Sequence, residues 1–225
     1  MAEFTRREEV RDVYRRRAAH YDLTANLYYL IGFREWAYRR RAVDAMELRS
    51  GDVVVELGCG TGLNFQLLQE RIGPEGRIIG VDLTPEMLAQ ARRRADTEGW
   101  KNVELIESSA ADYRFPERVD GVISTFALTL EPRYAEVIQR AARALQPDRR
   151  FVLADLRLPD NWLRRLAPLL MFLVRPFAVS MKVAERRPWE VMRKELTDYR
   201  YEPGYFGFVY VASGMPHSKA EAVRD

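Results

Sequence analysis

The clearest chemical signature lies in Val55-Glu56-Leu57-Gly58-Cys59-Gly60-Thr61-Gly62, which follows a β-branched run and opens an amphipathic stretch. Glycines at such a junction let the backbone turn sharply and approach a ligand closely. The helix N-terminus beyond Gly62 would offer amide N–H groups to an anion such as a carboxylate. Glu56 sits at the end of an apolar run, where a charge needs a partner. A ligand amine would supply one. The second signature is Asp82, which ends another β-branched run. It stands about 20 residues past the loop, the place from which an acid reads the two hydroxyls of a ribose. Together the two signatures describe a nucleoside that carries an amino acid.

The spacing Gly-x-Gly-x-Gly argues against a nicotinamide dinucleotide, whose loop is Gly-x-Gly-x-x-Gly. Glycines serving only a tight turn would account for the loop but not for Glu56 and Asp82 as well. Cys59 is the sole cysteine, so no intrachain disulfide forms within this sequence. It has no base near it in sequence and reads as a small side chain between glycines rather than a nucleophile. Nothing in the spacing points to a metal site. His20 is either a base or a structural histidine.

These residues need a frame to hold them. Val53–Leu57, Arg77–Asp82, Val103–Ile106, Gly121–Ser124 and Phe151–Asp155 read as strands. Leu63–Ile72, Pro85–Glu98 and Arg133–Leu145 read as the helices between them. Thr84 is the expected N-cap with Pro85 in the first turn, and Pro147 ends the last helix. Strands alternating with helices imply an α/β fold with a parallel sheet covered on both faces. Tyr199–Tyr201 and Gly207–Ala212 have no helix between them and suit an antiparallel hairpin on the sheet edge. Residues 1–48 read as a helical segment without strand signal, 49–215 as the main domain with an insertion at 160–190, and 216–225 as a flexible tail.

Residues 53–156 resemble class I S-adenosylmethionine-dependent methyltransferases. The resemblance implies a doubly wound, mostly parallel, seven-stranded Rossmann-like sheet with an N-terminal helical lid, and S-adenosyl-L-methionine as cofactor. It places Glu56 near the methionine amino group, with Gly58, Cys59, Gly60 and Gly62 packing on the cofactor. Asp82 would bind the ribose, Leu83 would flank the adenine, and Ser109-Ala110 would stand where many members carry Asp-Ala. Ser124 and the residues up to Leu128 would line the methionine side. Methyl transfer is an in-line displacement, in which an enzyme mainly aligns donor and acceptor and excludes water.

The acceptor is read from the flanks. Tyr14 and Tyr21 are seven apart and share a face of a continuous helix. Either they are core aromatics or they form a catalytic lid whose ring faces favour a cation. Tyr-x-x-x-Ala-x-x-Tyr-Asp, Gly32-Phe33-Arg34-Glu35-Trp36 and Tyr205-Phe206-Gly207-Phe208-Val209-Tyr210 are similar to bacterial phospholipid N-methyltransferases and to diacylglyceryl-homoserine N-methyltransferases. That resemblance implies an amine lipid headgroup as acceptor, with Tyr28, Arg187 and Trp189 as candidate substrate contacts. The broader set includes quinone C-methyltransferases, so C- or O-methylation of a quinone or another small apolar molecule is the alternative.

The arginine clusters Arg15–Arg17 and Arg39–Arg41 flank an aromatic segment, and Trp162–Val183 mixes apolar and basic residues. Such surfaces rest on anionic membranes. The competing reading packs them on the core or in a homodimer interface. Arg92–Arg94 reads as a solvated helix face. A net charge of +3 does not indicate a nucleic-acid partner. With 47% hydrophobic residues and no apolar signal core at the N-terminus, the expectation is a cytoplasmic protein, peripheral on the inner face of the membrane.

Overall fold

The structure is a computed structural model that describes residues 34–160, 162–163 and 181–217. Tyr14, His20, Tyr21, Tyr28 and most of the 160–190 insertion therefore lie outside the described residues.

A seven-stranded sheet forms the frame, with strand order β3-β2-β1-β4-β5-β7-β6. The strands are β1 (Val53–Leu57), β2 (Arg77–Asp82), β3 (Val103–Glu107), β4 (Val119–Thr125), β5 (Leu145–Leu156), β6 (Leu196–Gly204) and β7 (Val209–Pro216). β1 to β5 pair in parallel, and β7 runs antiparallel between β5 and β6. The helices are α1 (Glu35–Asp44), α2 (Phe65–Ile72), α3 (Pro85–Thr97), α4 (Tyr134–Ala144), α5 (Met181–Ala184) and α6 (Pro188–Glu195). The fold is the doubly wound, mostly parallel sheet expected. Among the described residues no helix is long and apolar enough to cross a membrane.

Side chains alternate across a strand, so each central strand supplies two cores. Val55, Leu57, Val122 and Phe151 pack with Val137, Ile138 and Ala141 of α4 and Met192 of α6. Val54, Ile78, Ile123 and Val152 pack with Ala42 and Val43 of α1, Phe65 of α2 and Ala91 of α3. The same alternation aims Glu56 at the α1–α2 side. Burying Val43 and Met46 contributes roughly 1.5–3 kcal/mol each and fixes α1 against the sheet.

Several expectations shift. The third helix begins at Tyr134, and β5 follows it directly at Leu145 rather than starting at Phe151. Pro147 cannot continue a helix, but an irregularity in the β4–β5 register accommodates it. β7 extends to Pro216, because its early residues pair with β5 and its last ones with β6. Gly207, expected to open that strand, instead closes a 3₁₀ turn over residues 205–207, and β7 starts at Val209. Arg39 is not on a basic surface but 5% exposed, whereas Arg40 and Arg41 are exposed.

Candidate cofactor site

The strand order reverses between β1 and β4, and ligands bind in doubly wound sheets beyond the carboxyl ends of the strands at such a reversal. A cleft with about 940 Å³ of empty space, part of it open solvent, lies there. Its floor is Leu57–Thr61. One side is Val81–Thr84 with Met87 and Ser108–Ala110, and the other is Thr125–Leu128 with Leu130, Glu131 and Arg39.

The loop is shaped by backbone needs. Gly58 has φ +70°, and a Cβ there would lie 2.4 Å from that of Ala127, so the loop and the β4 terminus touch because the side chain is missing. Gly60 has φ +54°, with open space where its Cβ would stand. The amides are already committed within the protein. Those of Gly58 and Cys59 donate to the Val81 carbonyl, that of Gly60 to Asp82, and that of Gly62 to the Cys59 carbonyl. The amides expected to meet an anion are those of the helix N-terminus beyond Gly62, and these four of the preceding turn are committed within the protein. Cys59 is buried, and burial pushes its thiol up. A protonated thiol is a poor nucleophile, in keeping with a small spacer.

Behind the floor runs a polar network. Asn64 donates from Nδ2 to Glu56 Oε1 at 2.7 Å and to Thr125 Oγ1 at 2.9 Å. Arg39 donates to Asn64 Oδ1 at 3.1 Å, to Thr125 Oγ1 at 2.6 Å, and through Nε and Nη2 to Glu35 at 2.8 and 2.6 Å. Its guanidinium also lies 5.4 Å from the centroid of the Phe126 ring. Glu56 is 1% exposed, and its Oε2 has no hydrogen-bond partner. Burial pushes its carboxyl up to about 8, against the opposing pull of Arg39 and Asn64. At neutral pH it is mostly the neutral acid. Glu56 does not line the cleft.

Asp82 does. Its Oδ2 accepts the Gly60 amide at 2.9 Å and its Oδ1 the Thr84 amide at 2.8 Å, so one carboxylate ties the glycine loop to the start of α3. Burial raises its pKa, and these amides pull it back. The Leu83 amide and the Thr84 hydroxyl add to this hold, and the carboxylate lines the cleft at the strand end from which an acid reads vicinal hydroxyls. Ser109 lines the cleft too, but its hydroxyl donates to Asp112 Oδ2 at 2.6 Å and accepts the Asp112 amide at 3.1 Å. The donor is thus spent on its neighbour, and Asp112 is paired with Arg133.

Gly58, Cys59, Gly60, Asp82, Leu83, Ser109 and Ala110 thus meet around one cleft. Gly62 faces Phe65 instead, and Ser124 is fully buried, with the wall supplied by the residues after it. Arg187 is exposed and pairs with Glu190. Trp189 packs edge-on against Tyr210 at 4.9 Å and lies under Arg157. Neither Arg187 nor Trp189 lines the cleft. Sequence reasoning missed Arg39, Asn64 and Glu131. A signal existed for Arg39: Glu35 stands four residues before it, a spacing that pairs on one helix face, and Ala42 and Val43 mark that helix as buried.

The family model described as a methyltransferase domain (Methyltransf_31) matches residues 48–185. The chain belongs to this family. The span contains the floor of the cleft, Asp82 and the β4 wall, and S-adenosyl-L-methionine is the methyl donor. A demethylmenaquinone methyltransferase of Listeria welshimeri is 29% identical over 158 residues, 69% of this chain and 66% of that protein. The match thus spans just under two thirds of the relative's length. Among solved structures, a chain of the complex between the Haloferax volcanii Trm112 methyltransferase activator and a methyltransferase superposes with TM-score 0.68. That pair shares 20% identity over 93% of this chain and 98% of the other. Phosphoethanolamine N-methyltransferase 2 of Haemonchus contortus, solved with S-adenosyl-L-methionine, gives TM-score 0.56 and 20% identity over 69% of this chain and 35% of the other. These two likenesses speak for the fold.

The residues present suit the donor. Asp82 offers acceptors to a ribose, the apolar Leu83, Met87 and Ala110 form a slot for a base, and the Gly58–Gly60 turn leaves room beside Arg39 for the amino-acid end.

Proposed function

We propose that this methyltransferase acts on a small, largely apolar acceptor of the quinone type, forming a carbon–methyl bond. The observation that carries this reading is the wall opposite Asp82: Phe126, Ala127, Leu128 and Leu130 are apolar, and Glu131 is the acid among them. The demethylmenaquinone methyltransferase relative supports it.

The bound donor supplies an electrophilic methyl group on a sulfonium. The chain then has to orient an electron-rich ring carbon, keep water out and accept the ring proton. Phe126, Leu128 and Leu130 offer apolar contact and exclude water, which strengthens electrostatic interactions in the cleft. Glu131 is held by the Arg133 amide, which donates to its Oε1 at 2.9 Å, and is the carboxylate placed to take a proton on that side.

The lipid-headgroup reading loses ground on the described residues. Arg187 and Trp189 are its candidate contacts there; Arg187 pairs with Glu190 on the surface, Trp189 packs on Tyr210, and neither lines the cleft. No described feature of the cleft calls for a phosphate. Incubation with labelled donor and two acceptors, a demethylated naphthoquinol and phosphatidylethanolamine vesicles, tests the choice. Label in the naphthoquinol at carbon is expected. Label in the phospholipid alone would refute the proposal.

A further inference from the structure

We propose that Asp155 and Arg186 are positioning residues that grip the main chain of Thr129 from two sides and so hold the wall that faces the acceptor. The proposal rests on the reading that the residues after β4 meet the acceptor. That wall is short. Leu128–Leu130 form a single 3₁₀ turn, closed by the Leu130 amide on the Ala127 carbonyl and the Glu131 amide on the Leu128 carbonyl, both at 3.0 Å. Hydrogen bonds in such turns have poorer geometry than in α-helices, so the turn does not fix itself. Leu128, Leu130 and Glu131 line the cleft, whereas Thr129 does not. Thr129 is 4% exposed, and its two main-chain polar groups need partners from other elements.

Those partners are a buried acid and a cation. The Thr129 amide donates to Asp155 Oδ2 at 2.9 Å, and Oδ1 of the same carboxylate accepts the Leu156 amide at 2.8 Å. Arg186 donates from Nη1 to the Thr129 carbonyl at 2.7 Å. One charge comes from the end of β5 and the other from the link between α5 and α6. Burial raises Asp155 to about 6, so it is mostly the carboxylate at neutral pH. Tyr134 and Glu131 lie close enough to Arg186 to support its charge against burial. Neutral side chains could satisfy the same main-chain groups, but charged ones make bonds roughly twice as strong. The turn is thus held more firmly than satisfying its peptide groups requires. Arg186 lies just beyond the matched family span, so the chain after β5 reaches back to complete the acceptor side. Methyl transfer depends on alignment. A loosened grip therefore falls on the acceptor and spares the donor contacts at Asp82 and Leu83, across the cleft.

Hydrogen exchange read by mass spectrometry tests the grip without an acceptor. In Arg186→Gln, the segment 126–133 should exchange at least about tenfold faster than in the wild type, the worth of one charge-assisted hydrogen bond. Segments 57–63 and 81–87 should stay unchanged. Arg186→Lys should recover part of the protection, and Asp155→Asn should loosen the same segment. Steady-state methylation of a demethylated naphthoquinol reads the consequence. In Arg186→Gln its kcat/KM should fall by about the same factor, while calorimetry finds S-adenosylhomocysteine affinity unchanged. Unchanged exchange in 126–133, or faster exchange with unchanged naphthoquinol kinetics, would overturn the proposal. So would an equal loss of naphthoquinol turnover and S-adenosylhomocysteine affinity in a folded variant, which would mark a general structural role. If Asp155→Asn does not fold, the Arg186 variants decide. A wild type that leaves the naphthoquinol unmethylated would instead refute the choice of acceptor, and the exchange comparison would then decide the grip alone.

Discussion

The two ends of the sheet carry buried acids under opposite rules. At the amino end of the strands, Asp52 accepts the Arg49 amide at 2.7 Å and two N–H groups of Arg149 at 2.8 and 3.0 Å. Asp120 accepts the Val53 amide and Arg118, both at 2.9 Å. Arg150, 1% exposed, pairs with Glu47 and Asp198. At the carboxyl end, Asp82 and Asp155 are held by backbone amides and Glu56 by Asn64, and burial raises all three. Acids that face opposite charges hold the strands. Acids that burial raises surround the cleft or lie just behind it.

The largest expected effect follows from the raised acids. Glu56 has a folded pKa of about 8 against an ordinary value of 4.5. The native state therefore holds its proton where the unfolded chain has lost it, and stability falls as pH rises from about 4.5 to 8. One proton limits the slope to about 1.4 kcal/mol per pH unit. Asp155, raised to about 6, adds a fall between about 4 and 6. Thermal unfolding across pH 4–9 should show this decline, Glu56→Gln should flatten its upper part, and an unchanged slope would break the contrast.

A charge pair at the amino end should cost stability without touching the ligand. Arg149→Ala leaves Asp52, 2% exposed, without its cation, and removing one partner of a buried pair costs about 3 kcal/mol. Urea unfolding measures it, and S-adenosylhomocysteine affinity should stay the same. Asp82→Ala should do the reverse. It removes the ribose acceptors, worth roughly 10- to 100-fold in affinity for hydrogen bonds to a charged group, with a smaller loss of melting temperature as the Gly60 and Thr84 amides turn to water. The smallest effect sharpens the comparison from the surface. Arg71 and Asp44 are both about half exposed, and Arg71→Ala should change stability by no more than about 0.5 kcal/mol.

Much of the carboxyl end was readable from residue order. A glycine loop after a buried strand and an acid one strand later fix the cleft, because both signals arise from local backbone geometry. The starts of β1 and β2 were placed correctly for the same reason, each run being β-branched and bounded by turn residues. What stayed hidden was long-range. Arg39 looks like one of three consecutive arginines until the helix is docked, and then only it faces inward. The spent state of the loop amides depends on Val81 and Asp82, strand partners that no local pattern reveals. Pro147 looked like a gap between elements because its bulge exists only in the pairing with β4.

The most direct test of the account is a crystal structure with S-adenosylhomocysteine bound. The ribose should lie against Asp82, the base between Leu83 and Ala110, and the amino-acid end beyond Gly58–Gly60 toward Arg39. A ligand found elsewhere, or a cleft that stays empty at saturating concentration, would contradict it.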